Sequence, residues 1–328
     1  MPNQTLTMVG AINLALKQEM ARDKSIIVYG EDVGVEGGVF RVTENLQKEF
    51  GAERCFDSPL SEAGLIGTAI GLAINGMKPV IEMQFSGFFF EAFPQLMCHA
   101  ARMRNRTRGT FTVPMVIRTP YGGGIHALEH HSESEEGFIA HLPGVKIVIP
   151  ATPFDAKGLL IAAIRDPDPI IFFEPKRVYR AFKQEVPEED YFIPLGKSAI
   201  VAQGTDVTVI SWGAMLRESM KAIVEAKKLG ISCELLDVRT ISPLDIEGIL
   251  ASVQKTGRAV VVHEAVRSFG PGAEISSLIH ENLFHSLKAP VERVTNFDII
   301  IPMARSEDKV LPEPGRILEG IKKVMERQ

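Results

Sequence analysis

Short runs of β-branched and aromatic residues alternate with longer segments in which apolar residues recur every three or four positions. The runs are typical of buried parallel strands and the longer segments of amphipathic helices, so the pattern predicts an α/β fold. The first half of the chain has predicted strands at residues 25–30, 78–85, 114–119, 146–150 and 169–174, and predicted helices at 7–22, 62–75, 89–104 and 154–165.

A second strand–helix series follows a segment rich in charge and proline. Residues 175–197 lose the periodicity, and we predict a linker at 186–203 between domains at 1–185 and 204–328. Each domain is expected to hold its own parallel sheet. The second series has predicted strands at 206–213, 232–240, 258–266 and 290–295, and predicted helices at 214–229, 242–253, 273–285 and 315–327.

Two helices carry strong start signals. Thr152 is a predicted N-cap with Pro153 at the first helical position, and Ser242 with Pro243 repeats the pattern.

Composition narrows the class of protein. The 328 residues are 45% hydrophobic and 23% charged, as in ordinary globular proteins. A net charge of −5 without a basic tail gives no reason to expect nucleic acid, and no apolar stretch is long enough to predict a membrane span. The three cysteines are scattered and the start lacks a secretory pattern. We therefore expect the cytoplasm, or the mitochondrial matrix for a processed eukaryotic chain.

Two glycine-rich segments suggest nucleotide binding but do not match its motifs. Residues 268–275, "SFGPGAEI", follow a predicted strand, yet Ile275 stands where a dinucleotide fingerprint needs its third glycine. Residues 31–41, "EDVGVEGGVFR", lack the lysine and hydroxyl of a phosphate loop. An NAD-dependent dehydrogenase is therefore only a remote alternative.

Three histidines follow a run of three glycines in "RTPYGGGIHALEHHSESEEGF", residues 118–138. His126, His130 and His131 are three of only eight histidines in the chain. A solvated surface loop and a functional loop remain equal alternatives. If the loop is functional, general acid–base catalysis fits better than zinc binding, because imidazole titrates near neutral pH and no cysteine stands nearby.

An isolated acid opens an apolar, glycine-rich helix in "FDSPLSEAGLIGTAIGLAING". Glu62 has no basic residue near it before Lys78, and burying a carboxylate is unfavourable unless something binds it. Residues 83–93 hold five phenylalanines, which normally indicate core but can also form an aromatic wall for a planar ring.

Many separated motifs together resemble one family, the beta subunit of the thiamine-diphosphate-dependent decarboxylase of 2-oxoacid dehydrogenase complexes. The likeness covers nearly the whole chain in order. It implies a pyrimidine-type thiamine-diphosphate-binding domain followed by a transketolase C-terminal-like domain. The motifs are "GEDVG", "FDSPLSEAGLIGTAIGLA", "VIEMQF", "IRTPYGGGIHALEHHSES", "GVKIVIPATPFDAKGLL", "IIFFEP", "DVTVISWG", "DVRTISPLDIEGI", "KTGRAVVVHEA" and "EISSLI".

The resemblance implies residues that bind the cofactor. Glu62 matches the glutamate that binds the pyrimidine N1′ and thereby promotes loss of the thiazolium C2 proton. Leu60 matches a residue that contacts the aminopyrimidine through its backbone. Gln84 and Phe88 match pyrimidine-pocket positions, where Phe88 keeps a stacking face but lacks the hydroxyl of the tyrosine in the branched-chain relative.

The resemblance also implies roles for the histidines and for a potassium ion. His131 matches the histidine that assists reductive acylation of the lipoyl group, and His126 matches a neighbouring histidine of the same loop. His130 replaces a tyrosine or leucine and receives no role. A structural potassium ion, held mostly by backbone oxygens, would have as ligands Val113, Met115, Val116, Ala163, Asp166 and Asp168.

The chain lacks a motif that thiamine-diphosphate enzymes use to hold the diphosphate. No Gly-Asp-Gly sequence occurs in it. In the family the alpha subunit holds the diphosphate and Mg²⁺, so the resemblance implies an α2β2 heterotetramer that is active only when both subunits are present. It also implies binding of the lipoyl-bearing dihydrolipoamide acyltransferase.

The substrate expected from the sequence is a branched-chain 2-oxoacid, because "HLPGVKIVIP" and "IFFEPKRVYR" are more similar to the branched-chain member. The alternative is the beta subunit of a pyruvate or acetoin dehydrogenase. A non-catalytic scaffold that only binds partners is a further possibility. Loss of turnover when Glu62 is replaced by alanine would exclude it.

Overall fold

The computed structural model describes residues 3–326 of the chain. Its internal contacts divide the chain into two units, Met1–Tyr121 with Ile139–Leu195, and Gly122–Phe138 with Gly196–Gln328. The second unit therefore includes the predicted histidine segment, which lies far from the rest of that unit in sequence. The division between Leu195 and Gly196 falls inside the predicted linker, and the boundaries at 185 and 204 stay a prediction.

Fourteen strands are present among the described residues. In chain order they are β1 (Asn3–Leu6), β2 (Ile26–Gly30), β3 (Cys55–Asp57), β4 (Lys78–Glu82), β5 (Val116–Tyr121), β6 (Lys146–Val148), β7 (Ile170–Pro175), β8 (Gln184–Pro187), β9 (Ala199–Ala202), β10 (Val207–Ser211), β11 (Cys233–Asp237), β12 (Thr240–Ser242), β13 (Ala259–Val266) and β14 (Glu292–Asn296).

Eleven α-helices and four 3₁₀ segments lie within residues 3–326. The α-helices are α1 (Met8–Arg22), α2 (Leu46–Phe50), α3 (Glu62–Ile74), α4 (Phe89–Cys98), α5 (Met103–Arg106), α6 (Glu136–Ala140), α7 (Pro153–Arg165), α8 (Ala214–Lys228), α9 (Ile246–Thr256), α10 (Pro271–Leu283) and α11 (Pro314–Glu326). The 3₁₀ segments are Ser86–Phe88, Ala100–Arg102, Phe284–Ser286 and Ala304–Lys309.

The first unit is built on parallel strands in the order β6-β7-β5-β4-β2-β3. Strands β2, β5 and β7 are buried at every position, as expected for a parallel sheet covered on both faces by helices. Helix α1 packs on α7, and α3 packs on α4. The short strands β1 and β8 form a separate antiparallel pair.

The second unit has its own sheet in the order β14-β13-β10-β11-β9. The first four strands pair in parallel, and β9 joins the edge antiparallel to β11. Helix α8 packs on α11, and α9 packs on α10. Both units thus have the predicted α/β class, and their main sheets are parallel apart from this edge strand.

Helix starts follow local capping chemistry, with one correction to the sequence prediction. The side chain of Thr152 accepts a hydrogen bond from the Asp155 backbone N–H, as predicted. The predicted cap at Ser242 is wrong, because α9 begins at Ile246 and the Asp245 carboxylate accepts from the Gly248 N–H. Aspartate is as good an N-cap as serine, and the Ser-Pro pair lies just before the helix.

A fully buried ion network joins three neighbouring strands of the first unit. Arg118 on β5 donates two hydrogen bonds to Glu174 on β7, at 2.7 and 3.0 Å, and one to Glu82 on β4 at 2.9 Å. Tyr179 donates to Glu174 at 2.5 Å. Burial alone would lower the pKa of Arg118, but the carboxylates of Glu174 and Glu82 raise it above its ordinary value. The network fixes the end of β4, where predicted cofactor residues begin.

No helix within residues 3–326 has both the length and the apolar character that crossing a membrane requires.

Replacing Arg118 with methionine should lower the free energy of unfolding by about 3–5 kcal/mol, because two buried carboxylates lose their counter-ion. Arg104→Met is the matched control, since Arg104 pairs with Asp168 while its own side chain is half exposed. Such a pair contributes about 0–1 kcal/mol. Denaturant unfolding followed by circular dichroism measures both variants, and equal losses would contradict the importance of the buried network.

Candidate functional site

Three adjacent parallel strands of the first unit end side by side. In their register, Gly30 at the end of β2 is paired with Asp57 at the end of β3 and with Glu82 at the end of β4. The segments that follow these strands therefore emerge at the same edge of the sheet. Ligands of open α/β sheets bind beyond this carboxyl edge. The predicted cofactor residues Leu60, Glu62, Gln84 and Phe88 all lie in segments after β3 and β4.

Glu62 is the first residue of α3, which follows β3 after a short connection. Its side chain is half-buried in this chain. Leu60 just before it is 75% exposed. Further along the helix, Gly67 and Gly71 border open space, since an added Cβ at either would meet nothing within 4 Å. The start of α3 thus presents an acid beside an uncovered surface.

Gln84 and Phe88 lie on the segment after β4. The Gln84 amide donates a hydrogen bond to Asp32 at 2.9 Å, which joins the segments after β4 and β2. Phe88, half-buried in the 3₁₀ segment Ser86–Phe88, meets Phe85 edge to face with ring centroids 5.9 Å apart. The aromatic cluster continues from Phe85 to Phe40. Phe89 is buried but Phe90 is 49% exposed, so the five phenylalanines are not simply core.

Glu31 is a residue of this edge that the sequence analysis missed. It follows β2 directly and is 5% exposed, and neither carboxyl oxygen has a hydrogen-bond partner among the described residues. Burial, with smaller contributions from Glu62 and Asp32, raises the pKa of Glu31 to about 7. The signal was available, because two acids directly after a buried central strand are unusual unless they bind something.

These groups fit a polar nitrogen heterocycle such as an aminopyrimidine. A carboxyl group can share a proton with a ring nitrogen, an amide can donate and accept, and an aromatic ring can stack on a planar partner. The unpartnered carboxyl of Glu31 beside Glu62 shows that the edge holds more hydrogen-bonding capacity than the chain itself uses. Glu62, Gln84 and Phe88 would hold the ring.

The predicted histidines belong to the second unit, in the segment 122–138 that we call the histidine loop. His126 is exposed and its Nε2 lies 2.9 Å from the Asp308 carboxylate. The Nδ1 of His131 lies 2.7 Å from the carbonyl of Glu129. Because a carbonyl only accepts, Nδ1 of His131 carries the proton and Nε2 is the basic nitrogen. His130 is exposed with a left-handed φ of 65°.

The predicted potassium ligands gain no support from their contacts. Lys146 Nζ lies 2.7 Å from both carboxylate oxygens of Asp166 and 3.3 Å from Asp168, which also pairs with Arg104. The backbone carbonyls of Met115 and Ala163 already accept backbone hydrogen bonds. The carboxylates of Asp166 and Asp168 therefore already have lysine or arginine counter-ions. The other predicted ligands, Val113 and Val116, are buried next to Met115.

No three His, Cys, Asp or Glu side chains converge as a metal site in the part of the chain from residue 3 to 326.

Comparisons with known proteins agree with this geometry. A family model described as "Transketolase, pyrimidine binding domain" matches residues 4–181, and one described as "Transketolase, C-terminal domain" matches residues 196–317. Two relatives are described as pyruvate dehydrogenase E1 component subunit beta. That of Acholeplasma laidlawii is 56% identical over 97% of this chain and 98% of its own length. That of Bacillus subtilis is 51% identical over 98% and 99%.

A third relative with the same description, from Staphylococcus epidermidis, is 50% identical over 98% of this chain and 99% of its own. Among solved structures, a split gene transketolase described as an inactive beta4 tetramer matches with a TM-score of 0.76 over 99% of both chains. At 19% identity this likeness concerns the fold alone.

The raised pKa of Glu31 predicts a pH dependence of stability. Since its pKa is higher in the folded than in the unfolded chain, the contribution of Glu31 to stability is full below pH 4.5 and is lost as pH rises towards 7. The loss amounts to at most about 3 kcal/mol. Glu31→Gln should remove it, so the variant should gain in free energy of unfolding relative to wild type between pH 4.5 and 8.

Denaturant unfolding at a series of pH values measures this difference, with Glu53→Gln as the control because Glu53 is exposed in the same unit. The control should differ from wild type by a constant amount across the range. A Glu31→Gln difference that does not change with pH would show that the Glu31 carboxyl titrates normally.

Proposed function

The chain belongs to the beta subunits of thiamine-diphosphate-dependent 2-oxoacid dehydrogenases, and on this premise we propose that its substrate is pyruvate. The observation that carries the proposal is the 50–56% identity, over nearly the full length, to three relatives described as pyruvate dehydrogenase subunits. The expected branched-chain substrate finds no support among these relatives.

The branched-chain expectation relied on motifs that report the fold rather than the substrate. "HLPGVKIVIP" contains β6, and "IFFEPKRVYR" begins in β7. Ile147 and Val148 in the first motif and Phe172 and Phe173 in the second are fully buried. Core strands are constrained by packing, so a likeness there does not indicate which acid is bound.

The proposed reaction breaks the bond between the carboxylate and the keto carbon of pyruvate and releases carbon dioxide. The two-carbon acyl group then forms a thioester with one sulfur of a lipoyl disulfide, while the other sulfur becomes a thiol. Bound thiamine diphosphate supplies the carbon nucleophile and holds the electron pair between the two steps. Glu62 shares a proton with the aminopyrimidine, Leu60 contacts it through the backbone, and Gln84 and Phe88 orient it.

His131 is the proposed proton donor to the lipoyl sulfur that leaves, with His126 as a neighbouring participant. The hydrogen bond from Nδ1 to the Glu129 carbonyl supports this role, because it fixes the direction of the ring and leaves Nε2 as the nitrogen that takes up a proton and passes it to the sulfur. The acyl acceptor is the lipoyl group of a dihydrolipoamide acyltransferase.

An alpha subunit is proposed to complete the enzyme as an α2β2 heterotetramer and to hold Mg²⁺ and the diphosphate. Two observations support this partner. The sequence contains no Gly-Asp-Gly motif, and Leu60 with the glycines of α3 leaves the start of that helix uncovered in this chain. The potassium ion and the cytoplasmic or matrix location stay predictions.

The alternative of an NAD-dependent dehydrogenase is not favoured by the glycines that suggested it. A Cβ on Gly270 would lie 2.8 Å from the buried ring of His263, and one on Gly272 only 2.6 Å from it. These glycines therefore serve close packing within the second unit rather than approach to a pyrophosphate.

The purified chain mixed with its alpha subunit, thiamine diphosphate, Mg²⁺ and a lipoyl domain should decarboxylate pyruvate with a kcat/KM at least about ten-fold above that for branched 2-oxoacids. One or two methylene groups in a pocket typically change specificity by that much. A panel of straight and branched 2-oxoacids measures it, and the chain without its partner is the control, expected to be inactive. Preference for branched acids, or activity of the chain alone, would contradict the proposal.

A further inference from the structure

A buried carboxylate of the second unit holds the histidine loop through its backbone. Glu307, in the 3₁₀ segment Ala304–Lys309, is 1% exposed. One carboxylate oxygen accepts from the Gly124 N–H at 2.8 Å and the other from the His126 N–H at 2.7 Å. Hydrogen bonds to a carboxylate are about twice as strong as neutral ones. Glu307 thus bridges two backbone amides of the loop.

Two glycines of the loop lie so close to two carboxylates of the same unit that a side chain there would collide with them. A Cβ on Gly123 would lie 2.6 Å from Glu307 Oε1 and 2.9 Å from Leu311. One on Gly122 would lie 2.8 Å from Glu264, which also accepts the Gly123 N–H at 2.8 Å. The glycines that suggested close approach to a ligand in the sequence are therefore explained by Glu264 and Glu307.

The backbone held by Glu307 is in a conformation that does not persist without support. His126 has a left-handed φ of 56°, which is uncommon for a residue with a side chain. Such residues are retained only where the surrounding contacts determine them. At His126 those contacts are Glu307 on the backbone N–H and Asp308 on the imidazole.

The far end of the histidine loop is anchored separately, whereas Glu307 holds the part near its start. Glu136, at the start of α6, is fully buried and accepts a hydrogen bond from the indole of Trp212 at 3.2 Å. Between the amides held by Glu307 and this anchor lies the segment that carries His130 and His131. Loss of the Glu307 contact would remove the backbone support at the start of that segment and leave His126 with its imidazole contact to Asp308.

We propose that Glu307 is a positioning residue for acyl transfer, whose carboxylate fixes the loop backbone so that His126 and His131 are held in place for the lipoyl group. This inference rests on the proposed function of the histidines. It assigns a task in the reaction to a residue that carries no reacting atom. Glu307 affects acyl transfer to the lipoyl group, whereas decarboxylation depends on residues of the first unit.

Glu307→Gln is the most direct test, because glutamine keeps the shape but turns an NH₂ group towards one of the two backbone N–H groups. In the reconstituted enzyme we expect kcat for acylation of a free lipoyl domain to fall by about ten- to a hundred-fold, as small displacements of catalytic groups do. KM for the lipoyl domain should stay the same. Decarboxylation of pyruvate with an artificial electron acceptor should also be retained.

The matched control is Glu313→Gln, since Glu313 is an exposed acid of the same unit, six positions further along the chain. It should retain both activities, and His131→Ala gives the reference pattern of selective acylation loss. If Glu307→Gln lowers both activities equally, or neither, Glu307 has no specific part in acyl transfer. If the wild-type enzyme acylates no lipoyl domain at all, the proposed function is wrong, and the proposal for Glu307 is wrong with it.

A second variant covers the case in which Glu307→Gln does not fold. Gly123→Ala should displace the loop from Glu307 and give the same selective loss, because its Cβ would lie 2.6 Å from Glu307 Oε1. Where both single variants fold, the double variant should lose no more than the worse of them, because both break one contact. Amide hydrogen exchange of the wild-type assembly is an independent readout. Protection at Gly124 and His126 is expected, and exchange at unfolded rates would overturn the proposal.

Discussion

The site depends on one geometric constraint, the meeting of three parallel strand ends at one edge of the first sheet. Because β3, β2 and β4 are neighbours in register, the residues that follow them are brought together although Glu31 and Gln84 are 53 positions apart in sequence. Glu31, Glu62 and Gln84 gather there for this reason. The network of Arg118 with Glu82 and Glu174 keeps the edge in place from within the sheet.

Buried carboxylates perform three different tasks in this chain, and their partners tell the tasks apart. Glu82 and Glu174 face a guanidinium and stabilise the sheet. Glu307 faces backbone amides and holds a loop. Glu31 has no hydrogen-bond partner among the described residues, and it is this residue that lies at the proposed cofactor edge. An unpaired buried acid is the least favourable of the three and therefore the best indicator of function.

Much of the fold could be predicted from the sequence, and the failures have local causes. Long periodic helices such as α1 and α8 were predicted within one or two residues, because many positions contribute to the signal. Strands β1, β8 and β9 were missed, since each has only four residues; β1 and β8 pair with each other, and β9 lies at the edge of its sheet. Helix α9 was placed too early because Ser242 and Pro243 mimic a cap that Asp245 provides.

The candidate site was only partly predictable. The cofactor residues followed from the resemblance, and Glu31 could have been found from its position after β2. The contact of Glu307 could not, because 181 positions separate it from His126 and neither segment carries a local sign of the other. The expected branched-chain substrate finds no support among the relatives, because that expectation relied on similarity in buried strands, which does not report the substrate pocket.

The central claim is that the carboxyl group of Glu62 activates thiamine diphosphate. Exchange of the C2 proton of the bound cofactor for deuterium, followed by NMR after acid quench in the assembled enzyme, measures this activation directly. Glu62→Gln should slow the exchange by about 10²–10⁴-fold, the usual contribution of a positioned acid or base, while the cofactor stays bound. Equal exchange rates in the variant and the wild type at full cofactor occupancy would contradict the account.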